Sequence, residues 1–185
     1  TPIAVVERFE YDVLGRESAH IDPNGATTRT SYTVYDHPAD IVYPDGTRET
    51  YRYSPTGRLL RQTDRQGLTT VYTYDALERV TSKTYSKDDS TLGTESFIYD
   101  AFHLKSKTDL EGNRTFYTYD QAGRLIREEC AGQVRLLAYD AIGWICSETH
   151  ENGDNSLHVR FERDLLGRLT KRTKSDSTGQ VLYLI

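Results

Sequence analysis

The sequence predicts an all-β protein, built from tandem antiparallel β-hairpins that pair edge to edge as a meander sheet. Three observations lead to this fold class. A corner with the outline Y-D-x-x-G-R returns about eight times, a second turn centred on Gly lies between successive corners, and the stretches joining them are rich in Thr, Val, Phe and Tyr. The corners recur about every 22 residues from Tyr11 to Arg163, a period typical of repeat architectures. We therefore expect residues 1–185 to be a single repeat array.

The corner is the first element. With its Tyr as slot zero, the predicted slots are Tyr11, Tyr35, Tyr53, Tyr74, Tyr99, Tyr119, Tyr139 and Arg163. Asp follows the slot in every corner but one, where Ser54 takes its place. The Asp carboxylate can accept a hydrogen bond from the N–H two residues on, and Gly supplies the positive φ that ends a type I turn with a bulge. Where Ala39, Glu78 and His103 replace Gly, we expect left-handed strain or a different turn.

The strands are the second element, and the intervening Gly residues mark their far ends. These are Gly25, Gly46, Gly67, Gly93, Gly112, Gly132 and Gly153. In four intervals the next Tyr slot comes seven residues after this Gly, which is one strand of ordinary length. Stretches such as "GLTTVYTYD" therefore read as strands entering a corner, and stretches such as "RLLRQTD" as strands leaving it.

The two sheet faces are expected to differ. The residue two before the Tyr slot shares its face and is mostly apolar: Phe9, Thr33, Tyr51, Tyr72, Phe97, Tyr117, Leu137 and Phe161. The sixth residue after the slot is also mostly apolar: Glu17, Ile41, Leu59, Val80, Lys105, Leu125, Ile145 and Leu169. Stacked in register, these slots predict ladders of large side chains that form the core. The slot just before Tyr is mixed, which predicts a solvated or variably covered face.

Composition supports thin sheets and excludes several partners. Hydrophobic residues make up 36% of the chain and the mean hydropathy is −0.67, which suits sheets with one solvated face. A net charge of −5 without any run of Lys or Arg gives no footprint for nucleic acid or acidic lipid. We find no apolar stretch near the roughly 20 residues of a membrane span and no secretory signal. The absence of Met and the strand-like ending "VLYLI" suggest an excerpt of a longer chain.

The repeated unit, Y-D-x-x-G-R followed by a strand and a Gly-centred turn, resembles the YD repeat, also called the RHS repeat. The resemblance covers nearly the whole chain and is strongest over residues 53–67, 74–79 and 112–124. Family members include bacterial polymorphic toxins, insecticidal Tc toxin components and animal teneurins. The resemblance implies a continuous twisted, curved ribbon of hairpins that is part of a spiral shell, which in the toxins holds a cytotoxic C-terminal segment. Neither a cargo nor the family's cleavage segment is visible here, so no self-cleavage is assigned.

No catalytic residue is predicted, because the carboxylates that could form a glycosidase-like pair are copied rather than unique. They lie in the turn slot, where a structural hydrogen bond accounts for them: Asp12, Asp36, Asp75, Asp100, Asp120, Asp140 and Asp164. Arg fills the fifth slot at Arg16, Arg58, Arg79, Arg124 and Arg168. This row could bind a ligand, but we favour a structural interpretation in which each Arg closes its hairpin and packs its stem on the aromatic ladder.

No metal or cofactor site is predicted either. The stretch "HENGDNS" from His150 to Ser156 offers oxygen and nitrogen ligands, but it lacks the alternation of an EF-hand loop and is ordinary turn chemistry. The histidines share no zinc spacing: His20, His37, His103, His150 and His158. Cys130 and Cys146 are expected on strands separated by another strand, beyond the reach of a disulfide, so we predict free thiols.

The leading functional hypothesis is structural: a segment of β-shell wall that encloses a toxin cargo, with the remainder of the parent chain as its partner. The alternative is a carbohydrate- or receptor-binding module on the cell surface, in which exposed Tyr and Arg engage a glycan or receptor. An enzyme would need one irregular repeat to gather a unique carboxylate pair, which we do not expect. We expect a secreted or cell-surface location as part of a larger protein. Open strand edges also favour self-association.

Overall fold

The computed structural model describes the backbone of residues 6–184 and the side chains of residues 6–182. Contacts between Cα atoms divide the chain into two compact units, of which the first ends at Thr94 and the second begins at Glu95. Each unit is described by itself. The strand-like ending predicted for residues 181–185 is the strand Val181–Leu184, and Ile185 lies outside the described residues.

The first unit is a meander of consecutive antiparallel strands. Their bounds are β1 Arg8–Tyr11, β2 Glu17–Ile21, β3 Thr27–Tyr32, β4 Pro38–Val42, β5 Arg48–Tyr53, β6 Leu59–Thr63, β7 Thr69–Tyr74 and β8 Val80–Lys87. Each pairs with the next in antiparallel register from β1 to β8. Strand β9, Ser90–Tyr99, follows a two-residue turn and runs across the boundary between the units.

The second unit repeats this plan. It holds the rest of β9 and the strands β10 Leu104–Thr108, β11 Arg114–Tyr119, β12 Leu125–Cys130, β13 Gln133–Tyr139, β14 Ile145–Asn152, β15 Asn155–Arg163, β16 Leu169–Asp176 and β17 Val181–Leu184. Consecutive strands again pair antiparallel. Residues 6–184 thus hold seventeen strands and no helix, so the predicted all-β fold of tandem antiparallel hairpins is confirmed.

Five-residue turns form most of the hairpin ends, because the sequence places an acceptor first and a left-handed residue fourth. Thus the N–H of Gly25 donates to the carbonyl of Asp22 at 2.9 Å, and the Asp22 carboxylate accepts from the N–H groups of Asn24 and Ala26. The predicted turn at Gly93 is wrong, since Gly93 lies inside β9. The hairpin before it turns at Asp88 and Asp89, both with positive φ, as a two-residue type I′ loop requires.

One predicted corner was placed three residues too late. The second Tyr slot is Tyr32 rather than Tyr35, because the turn begins at Thr33, whose hydroxyl accepts the N–H of Tyr35 at 3.3 Å and of His37 at 3.2 Å. Asp36 therefore occupies the left-handed fourth position, with φ 65°, and Ala39 lies on β4 rather than in a turn. Tyr32, Tyr53 and Tyr74 follow Tyr11 at equal steps of 21 residues, a regularity in the sequence that identifies the true slot.

Two predicted strand pairings are also displaced, one by a shorter turn and one by the corrected start of the second corner. The corner from Asp100 is one residue shorter, since the Asp100 N–H donates to the carbonyl of His103. The residue that pairs with Tyr99 is consequently Leu104 and not the predicted Lys105. In the second corner, Pro38 instead of Ile41 is opposite Tyr32. Glu78 adopts the left-handed conformation, with φ 66°, which is the first of the two outcomes expected where Gly is replaced.

Both faces of each unit are thinly covered. Within the described residues, only Ala19, Leu137 and Val159 are buried hydrophobic residues. The predicted ladder slots on the Tyr face are mostly half-buried, whereas the residue just before each Tyr slot is exposed at every corner. The predicted difference between the faces is therefore confirmed. The elements that contact one another within a unit are consecutive strands, so each unit is a single layer.

Candidate functional site

The repeated corner is the group of side chains from which we build the candidate site. In the first corner, the Asp12 N–H donates to the carbonyl of Arg16 at 2.8 Å, and the N–H of Gly15 donates back to the Asp12 carbonyl at 3.0 Å. One carboxylate oxygen, Asp12 Oδ1, accepts the N–H groups of Leu14 and Arg16. The other, Oδ2, accepts Arg16 Nε at 2.7 Å. The carboxylate thus accepts three hydrogen bonds within its own turn, as the Asx interpretation predicts.

The same arrangement recurs with little change. Arg79 Nε donates to Asp75, Arg124 Nε to Asp120 and Arg168 Nε to Asp164, at 2.7–2.8 Å. These contacts hold the pKa of the corner carboxylates below the usual value. For Asp12 and Asp164 the hydrogen bond from the Arg side chain is the largest cause. For Asp75 and Asp120 it is the bond from the Arg backbone N–H. A carboxylate kept ionised by its own turn is poorly suited to general acid catalysis at neutral pH.

The fifth residue of a corner reaches the Tyr of the next repeat. The guanidinium carbon of Arg16 lies 4.7 Å from the Tyr32 ring centroid, and that of Arg124 lies 4.6 Å from the Tyr139 centroid. The equivalent contact from Arg58 to Tyr74 is 5.9 Å. Arg16 and Arg124 therefore bond the Asp of their own turn and also cover a neighbouring aromatic ring, which is the structural role predicted for this row, whereas the Arg58 side chain covers its ring without a bond to its own turn.

Each covered ring also hydrogen-bonds back to the preceding repeat. The hydroxyl of Tyr32 donates to the carbonyl of Glu17 at 2.8 Å, Tyr74 to Leu59 at 2.6 Å and Tyr139 to Leu125 at 2.8 Å. In every case the acceptor is the first residue of the strand that leaves the previous corner. Ring and guanidinium together link one hairpin to the next. The hydroxyl bond was not predicted from the sequence, because it depends on the register between strands.

Substitutions preserve this link. His37 stands in the fifth slot and stacks on Tyr53, with ring centroids 4.8 Å apart. His103, the last residue of the shorter corner, takes the same role and stacks on Tyr119, with centroids 4.5 Å apart. Arg163 stands in the Tyr slot, and its Nη1 donates to the carbonyl of Ile145 at 2.6 Å. That carbonyl is the equivalent of the one a Tyr hydroxyl reaches in other repeats. The apparent loss of Tyr in "RDLLGR" is therefore a replacement of one donor by another.

The fourth slot is matched to the side chain that approaches it. Where it is acidic, the preceding Arg pairs with it: Arg16 Nη1 lies 2.7 Å from Asp36, and Arg58 Nη2 lies 2.6 Å from Glu78. Where it is Gly, a ring can lie close, as Trp144 does against Gly167. Asp36 therefore belongs to an ion pair rather than to the acceptor slot predicted for it.

A groove of about 460 Å³ lies on the second unit, away from the corners. Arg135, Glu128 and His150 line it, and Arg135 Nε and His150 Nε2 contact Glu148 at 2.6 and 2.8 Å. Among residues 6–184 no group of three His, Cys, Asp or Glu side chains could hold a metal ion. Five residues of the predicted "HENGDNS" stretch line this groove: His150, Glu151, Asn152, Asn155 and Ser156.

The two cysteines are free thiols, as predicted. Cys130 ends β12, whereas Cys146 follows the first residue of β14, and β13 lies between the two strands. The predicted strand order that separates them is therefore confirmed. Among the described residues, no helix has the length and apolar character to cross a membrane.

Residues 53–91 match the family described as RHS Repeat. Over 92% of its length the chain is 31% identical to the double-stranded DNA deaminase toxin A of Burkholderia cenocepacia strain H111. It spans 14% of that relative. The predicted resemblance to the RHS repeat family is confirmed.

Solved structures share the fold. The chain is similar to TcdB2-TccC3 without its hypervariable C-terminal region, with a TM-score of 0.71 and 15% identity over 96% of this chain and 13% of that one. It is also similar to TcdB2-TccC3-Cdc42, with a TM-score of 0.68, 15% identity and the same coverage. A Photorhabdus luminescens Tc holotoxin pore matches with a TM-score of 0.54 and 16% identity over 96% of this chain and 9% of that one.

Proposed function

We propose that this chain, whose corners are those of the RHS repeat family, is a structural segment of a larger protein, where it forms part of the wall of a hollow β-shell around a toxin cargo. One observation carries the proposal: the bonding arrangement of the corner is copied from repeat to repeat. A bonded Asp, a fifth-slot cation or ring and a covered Tyr recur along both units. Copied chemistry suits a scaffold, whereas catalysis needs a unique cluster.

The single-layer sheet of each unit supports the proposed role as part of a shell wall. Few side chains are buried, and most ladder residues keep one side open. A sheet with no second layer of its own gains stability when another polypeptide covers one face. In a shell that polypeptide is the enclosed cargo, and the remainder of the parent chain supplies the neighbouring wall. We propose that residues 1–185 are one array within it, and that the parent is secreted or displayed at a cell surface.

The segment itself is proposed to lack catalytic, cofactor and metal residues. Toxin activity, where the parent has one, would then reside outside this chain. Four corner carboxylates support this assignment, because each is hydrogen-bonded within its own turn and its lowered pKa keeps it ionised: Asp12, Asp75, Asp120 and Asp164.

The alternative of a carbohydrate- or receptor-binding module requires aromatic faces free to stack on a ligand. Most corner Tyr rings are instead covered by Arg or His of the preceding corner, and the hydroxyls of Tyr32, Tyr74 and Tyr139 donate to backbone carbonyls. The groove in the second unit has no Tyr, Phe or Trp lining it. The geometry therefore favours the wall over the binding module.

Limited proteolysis of the full-length parent protein tests the wall. We expect the repeats and the enclosed segment to resist protease together, as mapped by mass spectrometry. Replacing both Asp120 and Arg124 by Ala opens one corner and should expose the cargo to cleavage. Glu111→Ala, at an exposed turn of the opposite edge, is the matched control and should leave protection intact. A cargo that is fully cleaved while the repeats remain intact would overturn the proposal.

A further inference from the structure

The two edges of each unit differ in chemistry. Because consecutive strands are antiparallel, all corners of a unit lie at the strand ends on one side of the sheet, and we call this side the corner edge. The other turns lie at the strand ends on the opposite side, which we call the opposite edge. At each corner the second and third turn residues point away from the sheet. They are Val13, Leu14, Val34, Tyr35, Pro55, Thr56, Ala76 and Leu77 in the first unit, and Ala101, Phe102, Gln121, Ala122, Ala141, Ile142, Leu165 and Leu166 in the second. All of them are exposed.

None of these sixteen positions is charged, although charged residues are 28% of the chain, so that four or five would be expected among sixteen positions. Several are large and almost fully exposed, such as Leu165 at 100%, Phe102 at 85% and Leu166 at 77%. The turns of the opposite edge hold charged residues instead, including Asp45, Arg65 and Glu111. Turn geometry does not explain this, because the charged residues Asp45, Arg65 and Glu111 lie in five-residue turns of the same kind as those at the corners.

We propose that the corner edge is an interaction surface whose partner is the corner edge of a second copy of this chain. Spacing argues for this partner. Each corner is followed by the next after two strands, which sets the apolar tips about 10 Å apart along the edge. A second copy presents tips at the same spacing, so the two rows can interdigitate as an isologous pair. Both rows lack charge, so their approach leaves no buried ion without a partner.

The apolar area that two corner edges could bury against each other is small. A fully exposed Leu or Phe offers roughly 100 Å² of apolar surface, so Phe102, Ile142, Leu165 and Leu166 give roughly 400 Å² per copy in the second unit. Two copies then bury about 800 Å² through one unit, below the range of standard interfaces. The expected dimer is therefore weak and concentration-dependent.

Leu165 and Leu110 form a matched pair for the test. Both follow the Asp of a five-residue turn in the second unit, Leu165 on the corner edge and Leu110 on the opposite edge. Both side chains are exposed, at 100% and 46%. Replacing either by Asp leaves the turn hydrogen bonds in place, because none of them involves the Leu side chain.

Sedimentation velocity of residues 1–185 over a range of concentrations measures the association, with circular dichroism to verify the β fold of each variant. We expect a monomer–dimer equilibrium for the natural chain, and the same for Leu110→Asp. In a two-fold dimer Leu165→Asp is present once in each copy. If each substitution raises the dissociation constant about tenfold, the two together should weaken the dimer roughly a hundredfold. A natural chain that stays monomeric overturns the proposal. So does an unchanged dimer in folded Leu165→Asp, which would place the contact at the open strand edges.

Discussion

Gly167 offers a sharp test of how one corner contacts the next. Its φ is +82°, and a Cβ added there would lie 2.5 Å from Cη2 and 2.6 Å from Cζ2 of Trp144. Gly112 has a nearly identical φ of +87° in the same kind of turn, but an added Cβ would meet nothing within 4 Å. Gly112→Ala therefore measures the left-handed strain alone, whereas Gly167→Ala measures the strain plus displacement of the indole ring.

The expected magnitudes follow from these two terms. A left-handed Ala costs about 1–2 kcal/mol in the folded state, and its stiffer unfolded chain offsets about 0.4–1 kcal/mol of that. Gly112→Ala should thus lower the free energy of unfolding by about 1 kcal/mol. Carbon atoms favour separations near 3.5–4.0 Å, so Trp144 must move by about 1 Å or more in Gly167→Ala. Overpacking of that kind adds about 1–3 kcal/mol.

The assay is urea unfolding of both variants, followed by circular dichroism and by tryptophan fluorescence. Trp144 is the sole Trp of the chain, so its emission reports this contact directly. We expect a red-shifted native emission for Gly167→Ala and an unchanged one for Gly112→Ala. Equal losses of stability together with an unshifted emission would refute the contact between Trp144 and Gly167.

Three further predictions concern the corners and the ladder. Tyr74→Phe removes the bond to the Leu59 carbonyl and should cost about 0.5–1.5 kcal/mol in urea unfolding, whereas Tyr35→Phe, at a ring that is 59% exposed, should cost little. In acid titration, the lowered pKa of Asp120 means that its contribution is complete above the unfolded value and is lost as pH falls through the folded one, so stability should drop below about pH 4. In alkali, burial and the bond to Glu49 raise the pKa of Tyr51 to about 12, so stability should fall as pH rises above 10, with part of the tyrosinate absorbance appearing late.

Each of these has a clear contrary outcome. Equal costs for both Phe variants would show that the Tyr74 hydroxyl contributes nothing. Unfolding free energy that stays flat from pH 5 to strongly acid pH would remove the corner carboxylates as a source of stability. A single tyrosinate transition near pH 10 would mean that the ladder rings are solvated.

Sequence reasoning located most corners but mistook one, for a chemical reason. The turn requires an acceptor at its first position and a left-handed residue at its fourth, and Asp satisfies either requirement. At "TVYDH" the acceptor is Thr33 and the left-handed residue is Asp36, so the Tyr-Asp pair marks the wrong place. The turn from Asp100 to His103 is one residue shorter than the other corners, and it displaced the following strand by one residue from its predicted position.

What the sequence by itself determined is the set of turns, and with it the all-β class, the strand lengths and the two unlike faces. Each turn closes within five residues, so its hydrogen bonds depend on letters that stand together in the chain. Only the tertiary structure decided how repeats hold one another: Arg16 over Tyr32, Arg163 in place of a Tyr, and Trp144 against Gly167. These contacts join residues some twenty positions apart, and the register between strands that sets them also depends on bulges and on turn length.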